Sequence, residues 1–428
     1  MEQKIKPSLL ALLPLGLFFA LYLVVSIVVG DFYKMPITVA FVVASVVAVA
    51  MCSGYEFGDR ITHFSKGASD KNIMLMVWIF ILAGAFAHSA KAMGAVEATV
   101  NLTMELLPSN MLLVGIFLAA CFISFSVGTS VGTVVALVPI ATGMAPMIGV
   151  DVAYLTAIIV GGAFFGDNMS FISDTTIAAT QSQGCTMRDK FKANILIILP
   201  AAVIATLIYV LQGSHIEYLS EPHNIEWLKV LPYLSVIVLA IAGLNVMKVL
   251  VVGTLLSGVI GIATGGFTLW DYTESMGSGI GSMGELITIT MLAGGLLELI
   301  RLKGGLAWLI ERLTSGVQNK RMAELSIAAM VSVANVCTAN NTVAIITTGK
   351  ISKDIATKFG VDPRRSASIL DTFSCFVQGV LPYGAQMLMA SQLSGVAPLE
   401  IIVSLYYPMM IGLFGVGAIL FRLPRRYS

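Results

Sequence analysis

Charge is scarce in this chain. Only 11% of its 428 residues are Asp, Glu, Lys or Arg, against roughly 25% in soluble domains. The formal net charge is +1, so there is no basic surface for nucleic acid, and none is expected as a partner. Five cysteines (Cys52, Cys121, Cys185, Cys337, Cys375) lie far apart with no CxxC or Cys/His spacing. That excludes a disulfide framework or a structural zinc site from the sequence reading. Four scattered histidines (His63, His88, His215, His223) form no nucleophile–base or ligand set, so neither an enzyme nor a bound cofactor is expected. The first apolar stretch, 8–30, is longer than a signal-peptide core and lacks a small-residue cleavage pattern. It is expected to stay as a first span.

What is abundant is apolar: 57% of the residues are hydrophobic. Runs long enough to cross a bilayer, about 20 residues each, lie near 8–30, 35–53, 72–92, 151–170 and 192–212, then near 229–246, 249–265, 285–303, 364–383 and 399–421. Two further apolar regions, 110–148 and 323–349, are interrupted by polar, small-residue stretches at 124–133 and 335–342. Irregular backbone at membrane depth is tolerated only where protein or a wet cavity satisfies it. Placing both termini in the cytoplasm puts 22 of the 25 lysines and arginines on the cytoplasmic side, leaving out only Lys34, Lys91 and Lys229. The external stretches 212–228 and 265–285 carry acids and no lysine or arginine. This satisfies the positive-inside rule for a bacterial inner-membrane protein.

The chain also repeats itself. LAGAFAHSAKAMG (82–94) matches LAGGLLELIRLKG (292–304) at offset 210. GTSVGTVVA (128–136) matches CTANNTVAI (337–345) at offset 209, pairing Thr129 with Thr338 and Thr133 with Thr342. The stretch 150–173 lies over 361–384 at offset 211. Loop 54–71 is basic, while its counterpart 265–285 has no basic residue, so the halves are expected to face opposite sides. The fold class follows: an all-α polytopic membrane protein of two inverted-topology repeats with broken helices or re-entrant hairpins. The first repeat is expected over 1–212, an external linker over 213–228 and the second repeat over 229–428.

The densest polar cluster at membrane depth is 161–183. It places Asp167, Asn168, Ser170, Ser173, Asp174, Thr175 and Thr176 directly after an apolar helix. Two carboxylates seven residues apart share one face if the helix continues. A buried carboxylate normally faces a cavity or an ion. Sodium, a hard ion, takes carboxylate, hydroxyl, amide and carbonyl oxygens, with Asp167 and Asp174 as its charged ligands. A carboxylate that binds either Na+ or H+ makes the two mutually exclusive, which is the minimum chemistry of an exchanger. Ser173 to Thr176 is also good helix-capping material. The interrupted segments supply Thr129, Ser130, Thr133, Thr338, Asn340, Asn341 and Thr342 as ion- or substrate-pathway candidates, because broken-helix tips aim N–H groups and carbonyls at small ions. Asp371 and Gln378 join them from the second-half partner of the aspartate cluster, with Gln378 aligned to Asp167.

The run FGDNMSFISDTT (165–176) resembles the signature of the NhaC family of sodium/proton antiporters, roughly GDxxSPxSDTT, with Phe171 at the family's proline position. The resemblance extends over most of the chain. It implies ion-coupled transport with Na+ as the coupling ion, held near Asp167, Asn168, Ser170, Ser173, Asp174, Thr175 and Thr176. It also implies a homodimer as the frequent assembly. The leading expectation is therefore Na+/H+ exchange by alternating access. The alternative is a Na+-coupled carrier of a small organic solute such as an amino acid or carboxylate.

Overall fold

The computed structural model describes residues 6–25, 28, 36–171, 173–214, 216, 226–424 and 426–427. Lys4, Lys34, His215, Glu217, Glu221, His223, Arg425 and most of the expected linker 213–228 lie outside them. All regular structure among the described residues is helical. The first half runs α1 (Leu13–Phe19), α2 (Ile37–Met51), α3 (Phe57–Ala68), α4 (Lys71–Ala92), α5 (Ala95–Leu106), α6 (Leu112–Val127), α7 (Ser130–Met144), α8 (Val152–Met169), α9 (Asp174–Gln183) and α10 (Met187–Gly213). The second runs α11 (Trp227–Ile241), α12 (Val246–Ala263), α13 (Leu269–Ser282), α14 (Gly284–Leu302), α15 (Gly305–Thr314), α16 (Lys320–Thr338), α17 (Asn341–Phe359), α18 (Pro363–Val380), α19 (Ala385–Ser394), α20 (Pro398–Val403) and α21 (Tyr406–Leu420).

Helices α2 to α9 correspond in order to α12 to α19. The equivalence reaches single bonds: Ser124 Oγ donates to the Ala163 carbonyl at 2.5 Å, and Asn335 Nδ2, 211 positions later, donates to the Ser374 carbonyl at 2.7 Å. Both interrupted regions are helix–break–helix units. The first turns at Gly128 (φ +73°) and restarts at Thr129, whose Oγ1 accepts from the Gly132 N–H. The second turns at Ala339 (φ +49°) and restarts at Asn340, whose Oδ1 accepts from the Val343 N–H. An alanine held in the left-handed region costs about 1–2 kcal/mol, so the surrounding structure fixes that break. The equivalence corrects the register read from sequence: Thr129 pairs with Asn340 and Ser130 with Asn341, not with Thr338 and its neighbour.

Two stretches expected as loops, 54–71 and 265–285, instead contain α3 and α13. Each lies on the opposite half. A Cβ added to Gly67 of α3 would sit 2.4 Å from the Gly294 carbonyl oxygen of α14, and one added to Gly84 of α4 would sit 2.3 Å from the Gly279 carbonyl oxygen of α13. Such reciprocal close approaches between equivalent helices are what a two-fold relation between repeats requires, and only glycine permits them.

Among the described residues, six helical segments are long and apolar enough to cross a membrane: Lys71–Ala92, Ser109–Val127, Val152–Gln183, Met187–Gly213, Val246–Ala263 and Leu269–Leu302. The protein is a multi-pass membrane protein of inverted repeats with broken helices. Leu196, Leu199, Val203, Leu207 and Leu211 form an exposed apolar ridge on α10, suited to lipid rather than water. At the centre, α8 and α18 bury almost every side chain. Helix α8 sits so close to α6 that a Cβ on Gly166 would fall 2.1 Å from Ser124 Oγ. The core of α18 is polar as well as apolar: Ser366, Ser368, Asp371, Thr372, Ser374 and Gln378 are all buried.

Candidate ion site

Helix α8 stops at Met169, and the last carbonyls of a helix lack N–H partners within it. Here side chains supply them. The Asp167 carbonyl accepts from Ser173 Oγ at 2.8 Å and Thr175 Oγ1 at 3.0 Å. The Asn168 carbonyl accepts from Lys190 Nζ at 2.5 Å and Asn194 Nδ2 at 3.0 Å. Ser173 also caps α9, accepting from the Thr176 N–H at 3.2 Å.

The Asp167 side chain is buried, at 5% exposure. Its Oδ1 accepts from the Ser130 N–H at 3.0 Å and its Oδ2 from Ser130 Oγ at 2.5 Å. Asn341 Nδ2 approaches Oδ2 at 3.5 Å. Ser130 and Asn341 are the first residues of α7 and α17, so the carboxylate lies where the N-termini beyond both breaks converge. Free N–H groups and the positive end of the helix dipole favour an anion at such a point.

A polar line crosses from one break to the other. Gln378 Nε2 donates to the Ala339 carbonyl at 3.1 Å and to Gln386 Oε1 at 2.9 Å. Gln386 Nε2 then donates to Ser130 Oγ at 2.9 Å. Four buried amide oxygens, Asn101 Oδ1, Asn168 Oδ1, Asn335 Oδ1 and Gln378 Oε1, have no hydrogen-bond partner among the described residues. Buried acceptors are rarely left so. Uncharged oxygens of this kind are the ligand type that a hard cation takes.

A second charged group lies on the other side of Asn168. Lys190 Nζ forms an ion pair with Asp371 Oδ2 at 2.5 Å, and the two side chains are 1% and 0% exposed. Thr176 Oγ1 also accepts from Lys190 at 3.0 Å. Around the pair, Asn194 Oδ1 accepts from Ser368 Oγ at 2.7 Å and Thr372 Oγ1 at 2.9 Å. The break after α8 and the start of α10 are thereby fastened to α18 of the other repeat.

Several expectations change. Lys190 is not a cytoplasmic loop cation but a buried partner of Asp371. Arg365, also assigned to a cytoplasmic stretch, is 1% exposed and pairs with Glu324 at 3.2 Å. Asp167 and Asp174 do not share a helix face, because residues 170–173 separate α8 from α9. Asp174 is exposed on the first turn of α9, and its side chain makes no hydrogen bond to a described residue. Ser170 is buried. Phe171, exposed, stacks on Phe191 with ring centroids 4.9 Å apart. Thr133 Oγ1 donates back to the Thr129 carbonyl, and Thr338 Oγ1 to the Asn340 carbonyl. The Thr342 N–H donates to Asn341 Oδ1. Of the candidates, the structure brings together Asp167, Asn168, Ser130, Ser173, Thr175 and Asn341, with Gln378 one residue further along the polar line. Sequence reasoning missed Lys190, Asn194 and Gln386. The i, i+4 placement of Lys190 and Asn194 at the start of a helix that is largely apolar beyond Asn194 was the available signal.

A family model described as the Na+/H+ antiporter family matches residues 5–214 and 225–422. The chain is 24% identical over 424 residues to a malate-2H+/Na+-lactate antiporter of Bacillus subtilis, covering 90% of this chain and 88% of that one. It is 24% identical over 390 residues to the Na+/H+ antiporter NhaC of the same organism, covering 81% and 84%. Among solved structures, the YdaH transporter of Alcanivorax borkumensis aligns over 90% of this chain and 99% of that chain, at a TM-score of 0.44 and 13% identity.

Proposed function

The chain belongs to the Na+/H+ antiporter family, and from that premise we propose that it exchanges Na+ for H+ across a bacterial inner membrane by alternating access, with Asp167 as the group both ions share. The observation that carries this reading is the position of the Asp167 carboxylate at the meeting point of both helix breaks. Protonated, Asp167 is neutral and keeps hydrogen-bond partners in Ser130 and Asn341. Ionised, it supplies the charge that offsets dehydration of Na+, with amide and hydroxyl oxygens nearby to complete the shell. Because one carboxylate serves both ions, neither rides with the other and exchange is coupled. Na+ is cargo, and no cofactor takes part. Lys190 already neutralises Asp371, so Asp371 plays no part as an ion ligand while that pair holds.

The test is 22Na+ uptake into proteoliposomes against an imposed pH gradient, with Asp167→Asn as the control. Uptake that ignores the gradient would refute exchange. A second reading, Na+-coupled carriage of a small carboxylate, is favoured by the buried amides Asn341, Gln378 and Gln386, which can hydrogen-bond a solute. The similarity to a malate-2H+/Na+-lactate antiporter points the same way. Uptake that requires an organic acid as well as Na+ would select it.

A further inference from the structure

The lysine of the second charged group sits where an ion would. An ammonium carries three N–H donors and no acceptor, and three oxygens surround this one. They are Asp371 Oδ2 at 2.5 Å, the Asn168 carbonyl at 2.5 Å and Thr176 Oγ1 at 3.0 Å. A carboxylate, a backbone carbonyl and a hydroxyl are the oxygen types that a hard cation takes. They come from three elements: α18, the end of α8 and the first turn of α9. Apart from the ion pair, Asp371 Oδ2 has no hydrogen-bond partner among the described residues. Lys190 and Asp371 are 1% and 0% exposed, so each charge is met by the other and not by water.

A tie between helices needs no charge at this place, as the other repeat shows. At an offset of 211 positions, Asn168, Thr176 and Lys190 correspond to Gly379, Met387 and Ile401, and Asp371 corresponds to Val160. Met387, Ile401 and Val160 are each 0% exposed. The fold fills the equivalent positions with buried apolar side chains. A buried ion pair often adds no stability over such packing, so stability does not explain why the cation and its oxygens occur on one side only. Their neighbour in the chain offers a reason. Asn168 directly follows Asp167, so the end of α8 presents one residue to the ammonium and the preceding one to the candidate ion site.

We propose that the oxygens of Asp371, Asn168 and Thr176 form a second site for a monovalent cation, and that Lys190 fills it as a tethered ion. Ca2+, close to Na+ in radius, takes oxygens at about 2.3–2.6 Å. Two of the three oxygens around Lys190 Nζ, at 2.5 Å, already stand at such a distance. Shortening the lysine without refilling its volume frees the site for Na+, with water completing the shell. The site itself stands on these contacts. Its meaning for transport rests on the exchange reading above: one Na+ at Asp167 suffices because the second positive charge is built into the chain.

The test melts the full-length protein in detergent, in sodium chloride and in choline chloride, on an Asp167→Asn background that removes the first site. There, Lys190→Ala should add a saturable, sodium-dependent rise in melting temperature of several degrees, and a further Asp371→Asn should abolish it. Methylammonium, which restores the missing ammonium, should stabilise the same variant and compete with Na+. Lys190→Met, whose side chain refills the space without charge, should gain no sodium response. A sodium gain that needs Asp371 supports the proposal. No gain in Lys190→Ala, or a gain that survives Asp371→Asn, overturns it. Monodisperse Lys190→Ala in Na+ but not in choline is the same support. Failure to recover both Lys190→Ala and Lys190→Gly in Na+ overturns the proposal, because Na+ should take the place of the lost charge. A sodium response already present in Asp167→Asn alone would count against Asp167 as the shared ligand, while the increment from Lys190→Ala still decides the second site.

Discussion

Replacing Asp167 with asparagine removes one charge and almost no volume. The asparagine Oδ1 can keep the Ser130 N–H, and its Nδ2 can donate to Ser130 Oγ, which accepts after rotating its own proton. The contact from Asn341 Nδ2, at 3.5 Å, is too long to be a strong bond. The structural cost is then about one buried hydrogen bond, roughly 1–3 kcal/mol, and the variant should fold and insert. The functional loss is larger in kind. In the wild type, Na+ at 100 times its dissociation constant stabilises the protein by about 2.7 kcal/mol. On the proposed function a proton on Asp167 excludes Na+, so that stabilisation should be fully present at alkaline pH. It declines as pH falls through the titration of the carboxyl, by up to about 1.4 kcal/mol per pH unit. Asp167→Asn has no proton to exchange, so its sodium-dependent stabilisation should be small and flat with pH. Thermal melting in Na+ against choline, over a neutral-to-alkaline series, measures both. If Asp167→Asn keeps a sodium-dependent stabilisation that grows with pH, the shared ligand lies elsewhere.

Four further outcomes follow from the same contacts. Lys190→Met leaves Asp371 buried without its partner and should destabilise by about 3–5 kcal/mol, while Lys190→Met with Asp371→Leu should recover most of that. A double-mutant cycle on melting temperature reads the difference, and equal losses in single and double variants would deny the pair. Gly166→Ala drives a methyl into Ser124 at the closest α6–α8 approach. It should cost about 1–3 kcal/mol or more, seen as loss of monodisperse protein, whereas Gly277→Ala, with open space around it, should be neutral. Asn341→Ala should change Na+ affinity less than about tenfold, since it removes one long contact. If an organic solute is carried, the same change should weaken that solute by roughly one to two powers of ten, read by isothermal titration. Cysteines at the exposed residues Ser69 and Thr273 should be labelled from opposite sides of the membrane, and same-side labelling would contradict inversion.

The sequence alone determined the class of molecule. Long apolar runs, the uneven spread of basic residues and two matched halves are short-range patterns, and the bilayer turns apolar runs directly into spans. It also marked both breaks, because glycine, asparagine and hydroxyl residues inside apolar runs have few other uses at that depth. Asp167 was legible for the same reason: a carboxylate in an apolar helix demands a partner. The identity of that partner was not legible. Only the tertiary structure brought Ser130 and Asn341 to Asp167, joined Gln386 to the polar line, and gave Asp371 a lysine that hydropathy assigned to a loop. Helices α3 and α13 were read as loops because few of their residues are buried, Gly67 and Ala68 in the one and Tyr272 and Gly279 in the other. The separation of Asp167 from Asp174 depended on where α8 stops, and the hydroxyls of Ser173 and Thr175 with the Lys190 amine and Asn194 amide fix that point by satisfying its last carbonyls. A buried polar group needs a partner whatever its sequence context, but which group supplies it depends on segments that meet only once the chain has folded.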